Sequence, residues 1–358
     1  MRKLIFAKIA LLKMCTIGLI NKSKVKYFAK KEPFIIAEIA SAHDGNIKKL
    51  IKIIDLALKT GADAIKFQIF KTKNFISLMN PMFNEFLKIE INYRNWEKVF
   101  QKYKRYKKRI IVEPYDTESL RFCISLNLFS AIKVPTSCLD EVDYINLIKK
   151  INKPIILGVG GIELKRIKKI YTKLNSKNSE IVLMYGFQNF PTKLNDLNLN
   201  KIKFLKNNFQ CLIGYADHTD SEDYFFANYI PMIANTYGAD IIEKHITINR
   251  IRKGRDYYSA LNPDEFKKFV NLFKIKSLIN GNKKWSLNKS EVEYAKFSKK
   301  YAVANKFIKK NKKLNKIDIS FKRTYKHGIE SDRIKKIINK KSKKNIKYGE
   351  AIKLSYFN

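Results

Sequence analysis

Only four histidines occur in this chain of 358 residues, and three of them, His43, His218 and His245, stand just after short apolar runs among other charged groups. A neutral imidazole is both the usual proton carrier near neutral pH and a good ligand for a divalent ion. His218 closes Gly214-Tyr215-Ala216-Asp217-His218, and His245 closes Ile242-Glu243-Lys244-His245. Placed at the ends of neighbouring strands, the two could reach one divalent metal, with water or substrate completing its shell; as satisfied polar groups in loops they would do no chemistry. Lys66, in Ala64-Ile65-Lys66-Phe67-Gln68, and Lys133, in Ala131-Ile132-Lys133-Val134-Pro135-Thr136, lie inside apolar runs. A buried cation needs a partner. Each lysine therefore either pairs with a carboxylate such as Glu38 or Glu243 or faces a bound anion, and the spacing leaves both readings open. Glu113 ends another such run, and Gly158-Val159-Gly160-Gly161 follows a further one. Backbone N–H groups in a glycine turn of that kind can approach a phosphate, but the turn serves equally as a tight connection.

The elements that must position these groups can be read from periodicity. Runs rich in β-branched residues occupy 34–39, 64–70, 109–113, 131–135, 154–159, 181–185, 211–215 and 240–245, with segments of helical period between them. Eight strands alternating with helices predict an α/β fold of the closed (β/α)8 TIM-barrel type rather than an open doubly wound sheet. In such a barrel the active site lies at the C-terminal strand ends, where Glu38, Lys66, Glu113, Lys133, Asp217, His218, Glu243, Lys244 and His245 fall. The Gly-Ala-Asp steps at 61–63 and 238–240 place a helix-terminating glycine just before a strand. The expected organisation is a basic N-terminal extension over 1–31, the barrel over 32–280, a linker over 281–295 and a small, mostly β domain over 296–358. The short apolar runs at 301–304 and 317–321 mark strands of that last domain, whose small core favours docking on a partner.

An apolar content of 45% supports a sizeable core, and the net charge of +41 favours anionic partners. The lysines are spread along the whole chain, and the aromatic and glycine pattern of an RNA-binding module is missing, so nucleic acid is not the expected partner. Cys15, Cys123, Cys138 and Cys211 form no C-x-x-C pair, which points to a reducing, cytoplasmic setting. In the first 20 residues Lys8 and Lys13 interrupt the apolar run and no small-residue cleavage site follows, so an extension is expected rather than a signal peptide or a stable membrane anchor.

Several motifs, in order, resemble the sialic acid synthase (N-acetylneuraminate synthase) family. They are Ile36-Ala37-Glu38-Ile39 with His43-Asp44-Gly45-Asn46, Gly61-Ala62-Asp63-Ala64-Ile65-Lys66-Phe67-Gln68, Lys153-Pro154-Ile155-Ile156-Leu157, Gly214 to Thr219, Ile242 to Thr247, Gly254-Arg255-Asp256, and Asn262-Pro263-Asp264-Glu265-Phe266. Ala302-Val303-Ala304, Ile317 to Ile319 and Lys322-Arg323 look like the family's C-terminal antifreeze-like (SAF) domain. The resemblance implies condensation of phosphoenolpyruvate with an N-acylated amino sugar and water, giving a nonulosonic acid and phosphate. It implies a divalent ion, manganese in type with magnesium or cobalt as substitutes, held by His218 and His245 to polarise the sugar aldehyde. Glu38 would orient or deprotonate the attacking water. Lys66, Lys133 and Thr136 match positions that hold phosphoenolpyruvate. Gln68, Gln188, Phe190, Glu243 and Asp256 match site-lining or sugar-binding positions. Arg323 matches an arginine that completes a partner subunit's site in a domain-swapped homodimer. Gly158 and Ala216 stand where family members often have serine, and Thr324-Tyr325-Lys326-His327-Gly328 replaces a glycine-rich turn. Two lost hydroxyl donors would weaken phosphate binding by about 1 kcal/mol each, or they mark a subgroup with an altered sugar. Two other readings of the same barrel are a non-catalytic relative that binds anionic surfaces and a different metal-dependent aldolase using free pyruvate.

Overall fold

In the computed structural model the described residues are 27–30, 32–175, 180–187, 189, 191–281 and 284–357. Contacts divide the chain into two compact units, Met1–Gly281 and Asn282–Asn358.

In the first unit, β1 (Phe34–Glu38), β2 (Ala64–Ile69), β3 (Ile110–Pro114), β4 (Ala131–Val134), β5 (Ile155–Gly158), β6 (Ile181–Tyr185), β7 (Leu212–Asp217) and β8 (Ile241–Ile246) pair in parallel in chain order. β1 also pairs with β8, so the sheet closes into the expected barrel. The principal helices after these strands are α1 (Ile47–Lys59), α4 (Tyr93–Lys102), α5 (Thr117–Leu126), α6 (Val142–Ile148), α7 (Leu164–Asn175), α8 (Asn200–Asn208), α9 (Tyr224–Thr236) and α10 (Pro263–Asn280). Two short helices, α2 (Thr72–Phe75) and α3 (Phe83–Ile89), intervene between β2 and α4. α1 shows why these segments are helical: Asn46 caps it by accepting from the Lys49 N–H, and Leu50, Ile53, Ile54 and Ala57 make one buried stripe. A two-residue strand, β9 (Ala260–Leu261), adds beside β8 and was not legible in the sequence.

The period of two along each strand divides the core. Outward residues such as Ile35, Ala37, Ile65, Phe67, Leu183 and Tyr215 pack beneath the helices. Inward residues Phe34, Ile36, Ala64, Ile111, Ala131, Ile156, Val182 and Met184 fill the barrel interior. Phe28 joins that inner cluster and meets Phe34 edge-on at 4.9 Å, while the backbone N–H of Phe28 donates to Glu180 Oε1 at 3.3 Å. Residues 27–30, assigned to the N-terminal extension by sequence, thus pack against the start of the strands; residues 1–26 lie outside the described residues. Among the described residues no helix is long and apolar enough to cross a membrane, and Cys123, Cys138 and Cys211 are free thiols.

The second unit holds an antiparallel pair, β10 (Lys300–Ala304) and β11 (Ile319–Arg323), over a core of Ala302, Ile308, Leu314, Ile346 and Ile352. Its first element is a helix, α11 (Lys289–Ser298), with a capping box between Asn288 and Glu291. Most of α11 falls where the sequence reading placed a linker: the helix buries none of its residues, so no apolar stripe announced it.

Candidate active site

Inward parity carries Glu38, Lys66, Glu113, Lys133, Glu243 and His245 into the barrel interior in adjacent layers, beyond the apolar filling and toward the C-terminal strand ends. Register ties them together, Glu38 lying across from Lys66 on one side and from His245 on the other. The Lys66 ammonium is 1% exposed and is paired with three carboxylates: Glu38 at 2.5 Å, Glu243 at 3.0 Å, and Glu113. Lys133 lies 2.8 Å from Glu243 and 3.5 Å from Glu113. Both lysines therefore take the carboxylate-paired option that the sequence left open, and Lys133 also faces a cavity.

The field of this cluster is uneven. Burial pushes the Lys66 ammonium down against the pull of Glu113 and Glu243. At Lys133 burial acts the same way, but Glu113 and Glu243 outweigh it and raise the group. Burial raises the Glu243 carboxyl, yet Lys133 and Lys66 outweigh it and hold the group below the usual carboxylate range.

His218 and His245 meet at the ends of β7 and β8, with ring centroids 5.2 Å apart and planes inclined by 57°. Burial pushes His218 down to about 4. His245 is driven well below its usual value by burial and then by His218. Both rings are neutral at neutral pH, the protonation state that binds a metal. The His218 carbonyl accepts from Thr192 N and Ser259 Oγ, each at 2.9 Å, which fixes the turn carrying the ring. Among the described residues no group of three or more His, Cys, Asp or Glu is arranged to hold a metal. Two neutral imidazoles at 5.2 Å are by their chemistry a donor pair that a divalent ion could use, with its other positions left to water or substrate oxygen.

Three groups that the sequence placed near the site do other work. His43 is buried, accepts from the Gly45 N–H at Nδ1 (3.0 Å), and meets Trp96 edge-on at 6.3 Å, so it shapes the turn after β1. Asp217 and Lys244 point outward, share a wholly buried ion pair of 2.5 Å, and bind Thr219 and Tyr215 through Asp217. Strand ends alone do not say which face a residue takes; parity does.

Two cavities open over the cluster, both touching Tyr115. One of about 480 Å³ is lined by Glu113, Lys133, Thr136, Gly158, Ala216 and His218. The other, of about 820 Å³, is lined by Gln68, His245, Asp256, Asp44, Arg255 and Tyr258, with Glu85 and Phe86 of α3 on its wall. Thr136 is exposed there, its hydroxyl 3.3 Å from the Gly158 carbonyl. Asp256 adopts a left-handed φ of 61° and accepts from the Ser41 N–H at 2.9 Å. Burial pushes its carboxyl up. Sequence reasoning did not single out Asp44, Glu85, Phe86, Tyr115, Arg255 or Tyr258 as cavity-lining residues. Tyr115 follows a strand end and could have been found from that position, whereas α3 reaches the rim through tertiary packing that no local pattern announces.

Gln188 and Phe190 lie outside the described residues. Arg323 is exposed in the second unit, where a cavity of about 340 Å³ also involves Lys296, Phe297, Tyr301, Tyr325 and His327.

The NeuB family profile matches residues 53–284. An uncharacterised protein of Methanocaldococcus jannaschii is 32% identical over 324 residues, 89% of this chain and 93% of that protein. The N,N'-diacetyllegionaminic acid synthase of Campylobacter jejuni is 31% identical over 342 residues, 90% of this chain and 99% of that enzyme. Among solved structures, N-acetylneuraminic acid synthetase from Leptospira borgpetersenii, in complex with citrate, is 26% identical with a TM-score of 0.66, covering 74% of this chain and 91% of that one.

Proposed function

The chain belongs to the NeuB family, and we propose that it condenses phosphoenolpyruvate with the open-chain aldehyde of an N-acylated amino sugar and water, releasing phosphate and a nonulosonic acid. The observation that carries this reading is the meeting of two buried imidazoles, with His245 across from Glu38 and lining one cavity, and His218 lining the other together with Lys133. An enolic phosphate and an aldehyde must be held face to face, away from bulk water, and the two cavities offer one place for each.

In this reading the cavity beside Lys133 takes phosphoenolpyruvate. Lys133 and Lys66 balance its phosphate and carboxylate, and Thr136 donates a hydroxyl. The larger cavity takes the sugar, with Gln68 and Asp256 meeting its hydroxyls; Gln188 and Phe190 belong to the same reading. His218 and His245 would hold a divalent ion of manganese type, which supplies Lewis-acid polarisation of the aldehyde when bound. Carbon 3 of the donor forms the new bond to the aldehyde carbon as the carbonyl pair passes to its oxygen, which takes up a proton, leaving a cation at carbon 2. Water adds at carbon 2, and Glu38, which already accepts from the Ala40 N–H at 2.5 Å, orients it and takes its proton. Phosphate then leaves with the bridging oxygen by C–O cleavage, so the atoms of both substrates and of one water are accounted for. Glu243 sets the position of both lysines through one carboxylate oxygen. The resemblance extends the proposal to an antifreeze-like second domain and a domain-swapped homodimer in which Arg323 binds the N-acyl carbonyl with its planar donor fork.

The test is inorganic phosphate release from phosphoenolpyruvate with manganese across a panel of N-acylated amino sugars. Release that depends on one sugar supports the proposal and identifies the acceptor. Absence of release from folded, metal-loaded protein favours the non-catalytic reading, and consumption of free pyruvate without phosphate favours the aldolase.

A further inference from the structure

The lysine pair already holds a counter-anion on the wall of the cavity assigned to the donor. Glu113 lies between the two ammonium groups, with Oε2 on Lys66 and Oε1 3.5 Å from Lys133. It is 3% exposed yet lines the cavity together with Lys133, Thr136 and His218.

The lysines do not need this third carboxylate for neutrality. Glu38 lies 2.5 Å from Lys66, and Glu243 Oε1 lies 3.0 Å from Lys66 and 2.8 Å from Lys133. Three carboxylates against two ammonium groups leave the cluster at a formal charge of −1; without Glu113 it would be neutral. Apart from Lys133 the lining supplies no second cationic side chain: Tyr115, Thr136 and Ser137 offer hydroxyls, and Gly158, Gly160, Gly186 and Ala216 carry no polar side chain. An entering phosphate would meet Lys133, which Glu113 already contacts, and would meet the Glu113 negative charge at close range in a low-dielectric site.

We propose that Glu113 sets the affinity for the anionic donor: it competes with the substrate's phosphate and carboxylate for Lys66 and Lys133, and is displaced from Lys133 when they bind. The Lys133 contact is the longer of its two and the one that faces the cavity, so it is the one that yields. A built-in competitor of this kind weakens phosphate as well as phosphoenolpyruvate, which limits product retention. Like-charge opposition is also a general means of rejecting anions that make too few compensating contacts. The inference rests on the phosphoenolpyruvate reading above.

The experiment titrates inorganic phosphate and phosphoenolpyruvate separately into the full-length protein by calorimetry, comparing the natural chain with Glu113→Gln, Glu113→Ser and the charge-keeping Glu113→Asp. Both neutral variants are expected to bind each anion at least tenfold more tightly, with stronger phosphate inhibition of turnover and no rise in kcat, while Glu113→Asp stays within threefold of the natural chain. Equal or weaker anion binding by the neutral variants overturns the proposal. Tighter phosphate binding without any phosphoenolpyruvate binding upholds the role of Glu113 and removes the donor assignment instead. Loss of the folded state in both neutral variants, seen by circular dichroism, would make Glu113 a counter-ion of the fold and overturn the proposal.

Discussion

Lys66→Met removes the charge at the centre of the barrel while keeping a flexible apolar side chain of similar length. In the natural protein the Lys66 ammonium serves Glu38, Glu113 and Glu243, all of them almost fully buried. Without it, Glu113 and Glu243 keep only Lys133, Glu38 loses its ammonium partner, and the formal charge of the cluster falls from −1 to −2. Removing one partner from a buried ion pair costs about 3–5 kcal/mol, because the charge left behind is not resolvated. That is a large share of a typical total of about 5–15 kcal/mol. Urea unfolding can be followed by fluorescence of Trp96, which is 2% exposed in the barrel core, against the fully exposed Trp285. At pH 7.5 the variant should lose about 3–5 kcal/mol. Its uncompensated carboxyls should titrate higher in the folded than in the unfolded chain, so the penalty shrinks as pH falls toward 5. Adding Glu113→Gln should recover more than about 1 kcal/mol, since the two sites are in contact. A loss below about 1 kcal/mol at pH 7.5, or a loss independent of pH, would refute the view that this cluster is a single electrostatic unit.

Further expectations follow from the same geometry. His245→Ala should abolish metal-dependent turnover with the far-ultraviolet spectrum unchanged; full activity would remove the metal assignment. A chain ending at Gly281 should fold, by circular dichroism and thermal melting, yet lose most of its activity, and unchanged turnover would show that the second unit does not complete the site. His43, pushed by burial from 6.5 down to about 4, binds a proton in the unfolded chain before it does in the folded one. Stability should therefore fall as pH drops from 6.5 toward 4, by about 3 kcal/mol from this group, and His43→Gln should flatten that slope in urea titrations; an unchanged slope would contradict the burial of its neutral form.

Much of the barrel was legible because each strand is a compact β-branched run ended by a turn residue, and all eight were located to within two residues of their observed bounds. The histidine pair and the lysine cluster were legible from their position at strand ends. Their partners were less so. Lys244 sits beside two site residues in sequence yet faces the opposite way, because only the alternation of Ile242, Lys244 and Ile246 shows its face. Glu113 was seen at its strand end, but its bridging of two lysines depends on register across β2, β3 and β4. The glycine turn after β5 had two readings, and the structure shows tight packing at one position: a Cβ on Gly160 would stand 1.9 Å from the Gly186 carbonyl oxygen. The helix α11 went unread since its ten residues carry no buried stripe, although Asn288 and Glu291 spelled a capping box. The wall formed by α3 is a product of long-range packing.

The most direct test of the proposed condensation uses phosphoenolpyruvate carrying oxygen-18 in the bridging position, incubated with manganese, the protein and the amino sugars of the panel, with products read by mass spectrometry. Condensation with C–O cleavage gives sugar-dependent turnover in which the label appears in inorganic phosphate and the new acid gains one oxygen from water. Label retained in the acid, phosphate released without sugar, or no turnover with any sugar would contradict it.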